Sequence, residues 1–171
     1  MQQLKLYIYS LLISQLITSC NSSTASSPVN SKEITGNYLS MKINGVVWEA
    51  DSEIFGAFHP KGYDNVIMMG GSFGPKNKDE QPFNINLYNT PGPGDYHIKD
   101  GNKDYSVAQL ANLSTDNYLY GSVLGFDIKV KLIKASANPT VIEATFEGTL
   151  NGNASDVLKI TDGKFRYIDD F

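Results

Sequence analysis

Two histidines, one cysteine and a serine set among glycines are the side chains of this sequence best suited to chemistry. His59 precedes Pro60 in "FHPKGYDN", and His97 stands between Tyr96 and Ile98. A zinc site needs His, Cys or carboxylate ligands at fixed spacing on one or two elements. Neither histidine has such a neighbour, so they read as a loop histidine and a strand histidine. Ser72 lies in Gly70-Gly71-Ser72-Phe73-Gly74, which fits a Gly-x-Ser-x-Gly nucleophile pattern. That pattern needs a strand turning into a helix. The next residues, "PKNKDEQP", form a polar loop with a proline at each end, which predicts no such turn. Triad groups converge in space rather than along the chain, so a distant arrangement stays open on sequence alone. Asp100, Asn102 and Asp104 have the spacing of the first half of a calcium loop, but the twelfth position, which calls for Glu, is Ala111. Turn chemistry alone accounts for Asp-Gly-Asn. No catalytic residue, metal ligand or cofactor is assigned.

The cysteine is more telling. Cys20 is the only one in 171 residues, so it can form no internal disulfide and no cysteine zinc cluster. Lys5 precedes a mostly apolar run, Leu6 to Ile17, broken by Ser10, Ser14 and Gln15. Twelve helical residues extend about 18 Å, short of the roughly 30 Å hydrocarbon core of a bilayer. A charged start, a short apolar run and small residues make a secretory signal over residues 1–19. The segment Leu16-Ile17-Thr18-Ser19-Cys20 resembles the lipobox of bacterial lipoproteins. That resemblance implies a diacylglycerol on the Cys20 sulfur, cleavage just before it and acylation of the new amine. Two or more acyl chains anchor a protein stably, at about 0.8 kcal/mol per buried methylene. Cys20 is thus the expected lipid attachment site and the membrane an expected partner. Cleavage would leave 13 basic and 18 acidic residues, a balance of −5.

Residues 21–35, "NSSTASSPVNSKEIT", lack any apolar period and cannot support a core. With Cys20 they read as a flexible linker, residues 20–35, whose root-mean-square reach is roughly 20 Å. The first acid behind the cysteine is Glu33, and Asn21 is not an aspartate. The late acid favours a domain facing the periplasm, and the absence of aspartate at position 21 favours the outer membrane of the cell envelope.

The elements that must position any site lie in residues 36–171, read as one β domain. Leu39, Met41 and Ile43 alternate with polar residues up to Asn44-Gly45, the strongest short hairpin signal. Val46–Ala50, Ile54–Phe58 and Val66–Met69 come next as short runs. Phe83, Ile85 and Leu87 alternate with Asn84 and Asn86, and Tyr96-His97-Ile98 comes after the stiff turn "NTPGPGD". Phe126, Ile128, Val130 and Leu132 face one way, with Asp127, Lys129 and Lys131 the other. Ile142, Ala144, Phe146 and Leu150 share a face. Leu158–Thr161 and Lys164–Ile168 make the last strand, with Asp162-Gly163 as a bulge. Val107–Leu113 is the one helix candidate, and it fits a strand as well. The pattern predicts an all-β, antiparallel sandwich or barrel of about eight to ten strands.

"MKINGVVWEAD", "FEGTL" and "ITDGKFRY" together resemble uncharacterised β-rich lipoprotein domains of Bacteroidota. The resemblance implies fold and compartment and carries over no catalytic residue. Trp48 is expected in the core. A net charge of −4 with no basic run argues against nucleic acid as a partner. Among ten tyrosines, Tyr88, Tyr118 and Tyr120 lie near turns and offer flat faces for a sugar ring. The expected role is therefore a non-enzymatic binding or structural module on a lipid tether, serving a protein partner. The alternative is a glycan- or small-molecule-binding module on the same tether.

Overall fold

Phe126, Ile128, Val130 and Leu132 are each at most 7% exposed, while Asp127, Lys129 and Lys131 between them point to solvent. This period-two division recurs in strand after strand. The computed structural model describes residues 36–116 and 118–169. The signal peptide at 1–19, Cys20 and the linker to residue 35 lie outside the described residues. The strands are β1 (Tyr38–Ile43), β2 (Val46–Glu49), β3 (Ser52–Phe58), β4 (Ile67–Phe73), β5 (Gln81–Leu87) and β6 (Gly94–Lys99). They continue as β7 (Val107–Ala111), β8 (Leu119–Gly121), β9 (Phe126–Ala137), β10 (Thr140–Asn151) and β11 (Val157–Asp169). Among the described residues one 3-10 turn is present, Ser122–Leu124.

Two antiparallel sheets form a sandwich. One has six strands in the order β2-β1-β11-β10-β9-β6, the other five in the order β3-β4-β5-β7-β8. The chain changes sheet between β2 and β3, between β5 and β6, between β6 and β7 and between β8 and β9. The described residues hold eleven strands rather than eight to ten. The excess comes from the three-residue β8, too short to show a period, and from β7. Val107–Ala111 is a strand, not a helix: it pairs with β5, with Phe83 opposite Leu110 and Ile85 opposite Ala108.

Local chemistry explains the turns and breaks. Asn44 and Gly45 both have positive φ, 50° and 85°, as a type I′ hairpin turn requires. The Asn44 side chain also accepts the Lys159 amide at 2.8 Å, tying this hairpin to β11. Asp162 has φ 55°, and the β11 register slips there against both neighbours, so Asp162-Gly163 is the bulge. Gly163 pairs with Phe146, whose ring fills the space a side chain at 163 would need.

The sheets are joined by aromatic contacts. Phe83 of β5 stacks on Phe146 of β10, with centroids 5.5 Å apart and planes 19° apart. Trp48 of β2 meets Phe83 edge-on at 6.0 Å and Phe73 at 6.2 Å. Its indole nitrogen donates to Gln81 Oε1 at 3.1 Å, which satisfies the one polar atom of a buried ring. A Gly163→Ala substitution is expected to lower stability by about 1–3 kcal/mol, because the new methyl would collide with both the ring and the carbonyl oxygen of Phe146. Urea denaturation followed by Trp48 fluorescence measures this; an unchanged midpoint would disprove the ring-over-glycine packing.

Candidate functional site

The outward positions of β9, β10 and β11 form rows fixed by strand register. Asp95 of β6 faces Lys131, Lys131 faces Thr145, Thr145 faces Lys164, and Lys164 faces Ser40 of β1. In the next row His97 faces Lys129 and Lys129 faces Glu147. Adjacent strands are about 4.8 Å apart, so Lys131 and Lys164 rise on either side of Thr145 with roughly 10 Å between their stems. Apart from Ser40, these side chains line a shallow groove of about 540 Å³ together with Tyr96. Gly163 also lines it, where a bare residue beside the bulge leaves room.

Charge in this face is unevenly paired. Lys42 holds Asp162 at 2.9 Å, and His97 Nε2 donates to Asp127 Oδ1 at 2.7 Å. Glu143 takes Lys134 at 3.0 Å and Arg166 at 3.5 Å. Lys129, Lys131 and Lys164 make no ion pair with another described residue, and neither do Asp95 and Glu147. Exposed pairs contribute about 0–1 kcal/mol each. Fixed alternating charge of this kind is able to select a complementary surface and speed encounter. It suits binding of charged groups.

The residues singled out in the sequence are dispersed. Ser72 is buried in β4, 3% exposed, and its carbonyl accepts the Asp51 amide at 3.0 Å. It pairs with Ser52, whereas His59 comes after Phe58, which pairs with Ile67 at the other end of β4. His59 bonds to Val66, six positions along the chain from Ser72 and so roughly 20 Å away, and His97 belongs to the other sheet. His59 stacks on Phe58 at 3.8 Å and its Nε2 donates to the Thr90 carbonyl at 3.0 Å, fastening "NTPGPGD" to β3. Tyr96 closes the same loop by donating its hydroxyl to the Gly92 carbonyl.

In the loop with calcium-like spacing, Asn102 Nδ2 donates to the Lys99 and Ser106 carbonyls, both at 2.8 Å, and its Oδ1 accepts the Ser106 amide at 2.9 Å. Asp104 accepts from Asn89 at 2.6 Å. These groups are occupied in holding the turn. Tyr118 is 60% exposed and Tyr88 half-buried, but Tyr120 is 1% exposed and cannot stack on a ligand. It fails as a binding residue because β8 turns it into the core, where its hydroxyl donates to Asp156 Oδ2 at 2.7 Å. Cys20 lies outside the described residues.

The convergence of residues 95–164 in one groove has no signal along the chain. The outward set of each strand is visible in the sequence, but the neighbours β6 and β9 are separated by two strands of the other sheet. No protein-family model matches this chain, and neither the curated proteins nor the solved structures contain a match to it.

Burial and then the bond to Asp156 push the Tyr120 hydroxyl up to about 12 from the ordinary tyrosine value of 10.0. The folded state therefore holds this proton more tightly than the unfolded chain. Its contribution is complete below pH 10 and is lost as pH rises from 10 toward 12. Tyr120→Phe should lose about 1–3 kcal/mol at neutral pH, since Asp156, whose Oδ1 already lacks a partner among the described residues, would lose its donor. Denaturant titrations should show a steeper fall of stability above pH 10 in the wild type than in this variant; parallel curves would refute the coupling.

Proposed function

We propose that this chain is a lipid-anchored protein of the bacterial cell envelope, moored to the outer membrane through acylated Cys20 with its sandwich in the periplasm. There it works as a non-enzymatic binding or structural module for a protein partner. Support for the mooring comes from Leu16–Cys20 placed directly behind an apolar run. No helix among the described residues is long and apolar enough to cross a membrane. Support for partner binding comes from one observation above all. The row Lys131–Thr145–Lys164 holds two lysines that pair with no carboxylate among the described residues, on an open sheet face patterned with Asp95 and Glu147. A protein surface of complementary charge fits such a face. The same tether would serve a glycan- or small-molecule-binding module, a reading favoured by the outer face of the five-stranded sheet.

Metabolic labelling with a fatty acid should mark the wild type and leave Cys20→Ala unlabelled and released from membranes. Labelling of that variant would remove the anchor from the proposal. For the groove, cross-linking in intact envelopes should trap a protein partner with the wild type, and the yield should fall as salt rises. The double variant Lys131→Glu with Lys164→Glu should lose most of that product. An undiminished yield would show that another surface is responsible.

A further inference from the structure

The two outer faces of the sandwich differ in kind. Along β4, β5 and β7, the three inner strands of the five-stranded sheet, the positions alternating with buried core residues carry no charge. They carry amides and small or apolar groups instead. One row runs Phe55, Gly70, Asn84, Gln109 across four strands. The next runs Ala57, Met68, Asn86, Val107.

Asn84, Asn86 and Gln109 are half-buried, and their side chains make no hydrogen bond within the described residues. Each amide offers two donors and a carbonyl acceptor. Three unspent amides thus stand within two adjacent strands, Asn84 directly opposite Gln109. Beside them, Phe55 rests over Gly70, whose missing side chain gives the ring its place, and the residue stays 45% exposed. The Phe55–Gln109 row spans three strand gaps, roughly 14 Å.

Ligand classes can be ranked by what they would leave unmatched. An apolar surface would strand three amides, each at the penalty of an unmade buried hydrogen bond. A charged ligand would meet no counter-charge on the three inner strands. A ligand with many hydroxyls, no charge and apolar C–H faces matches both the amides and the exposed ring. We propose that the outer face of the five-stranded sheet binds a neutral oligosaccharide chain. Asn84, Asn86 and Gln109 bond to its hydroxyls and Phe55 supports one sugar face. The assignment rests on the binding-module reading and is independent of the lipid anchor and of the lysine groove.

Calorimetric titration tests it on the full chain, solubilised in lauryldimethylamine oxide so that no detergent sugar competes. The probes are cellohexaose, maltoheptaose, xylohexaose and mannohexaose, each to about 10 mM, which captures dissociation constants into the millimolar range. At least one should bind, with an affinity unchanged between about 50 and 500 mM salt, since no charge pairing is involved. Asn84→Ala and Gln109→Ala should each weaken binding by about tenfold, the effect of losing one or two hydrogen bonds. Their melting temperatures should stay near wild type, because neither side chain bonds within the fold. The Lys131→Glu, Lys164→Glu variant should bind sugar as the wild type does. Absence of binding by all four sugars would overturn the proposal, and so would binding that survives the Asn84→Ala, Gln109→Ala double change. Either failure would leave the fatty-acid and cross-linking outcomes intact, so the two readings fall separately.

Discussion

The stack of Phe83 on Phe146 is the contact on which the sandwich depends. It joins the middle of one sheet to the middle of the other, and Trp48 extends it to the edge strand β2. Aromatic pairs of this kind contribute about 0.5–1.5 kcal/mol beyond the area they bury. The larger consequence is geometric. Phe146 can lie where it does only because its cross-strand partner is Gly163, and Gly163 is reached through a residue of positive φ. The bulge in β11 is therefore a requirement of the core, and the groove on the opposite side of that sheet is its outward trace.

Because the inner faces of both sheets are spent on one apolar core, the outer faces and the loops are the surfaces left open to other molecules. The six-stranded sheet shows alternating charge in rows set by register, and the five-stranded sheet shows amides with an exposed ring. A charged face acts through long-range attraction that salt screens, and an amide face through short, directional bonds that salt leaves alone. One small domain thus offers two chemically separate surfaces without any overlap of residues.

Much of the fold was legible because solvent on one side of a strand enforces strict alternation, as along β9 and β10. The Asn44-Gly45 hairpin and the Asp162-Gly163 bulge were legible because few residues tolerate those backbone angles. Strands β7 and β8 were not. Five and three residues hold too little period to separate strand from helix, and their pairing with β5 and with each other decides the matter. Gly70-Gly71 would be expected to weaken a strand, yet β4 runs through them because Phe55 covers one and Leu39, Ala50 and Ile54 close on the other. The site was less legible than the fold. Lys131 and Lys164 are neighbours of Thr145 only through sheet order, and Tyr120 points inward because of a bridge to Gly152 that no local pattern announces.

That bridge belongs to a recurring device. Phe146 with Gly163, Phe55 with Gly70 and Tyr120 with Gly152 each set an aromatic ring over a glycine on a neighbouring strand or turn, and Tyr167 of β11 does the same to Gly56 of β3 in the facing sheet. Each couple is one packing unit, since a side chain at the glycine would meet the ring. While the ring persists, drift at the glycine is blocked; once the ring shrinks, the position is released. Descendants of this chain should therefore exchange these residues in couples, and such paired changes would mark common ancestry long after the rest of the surface had diverged beyond recognition.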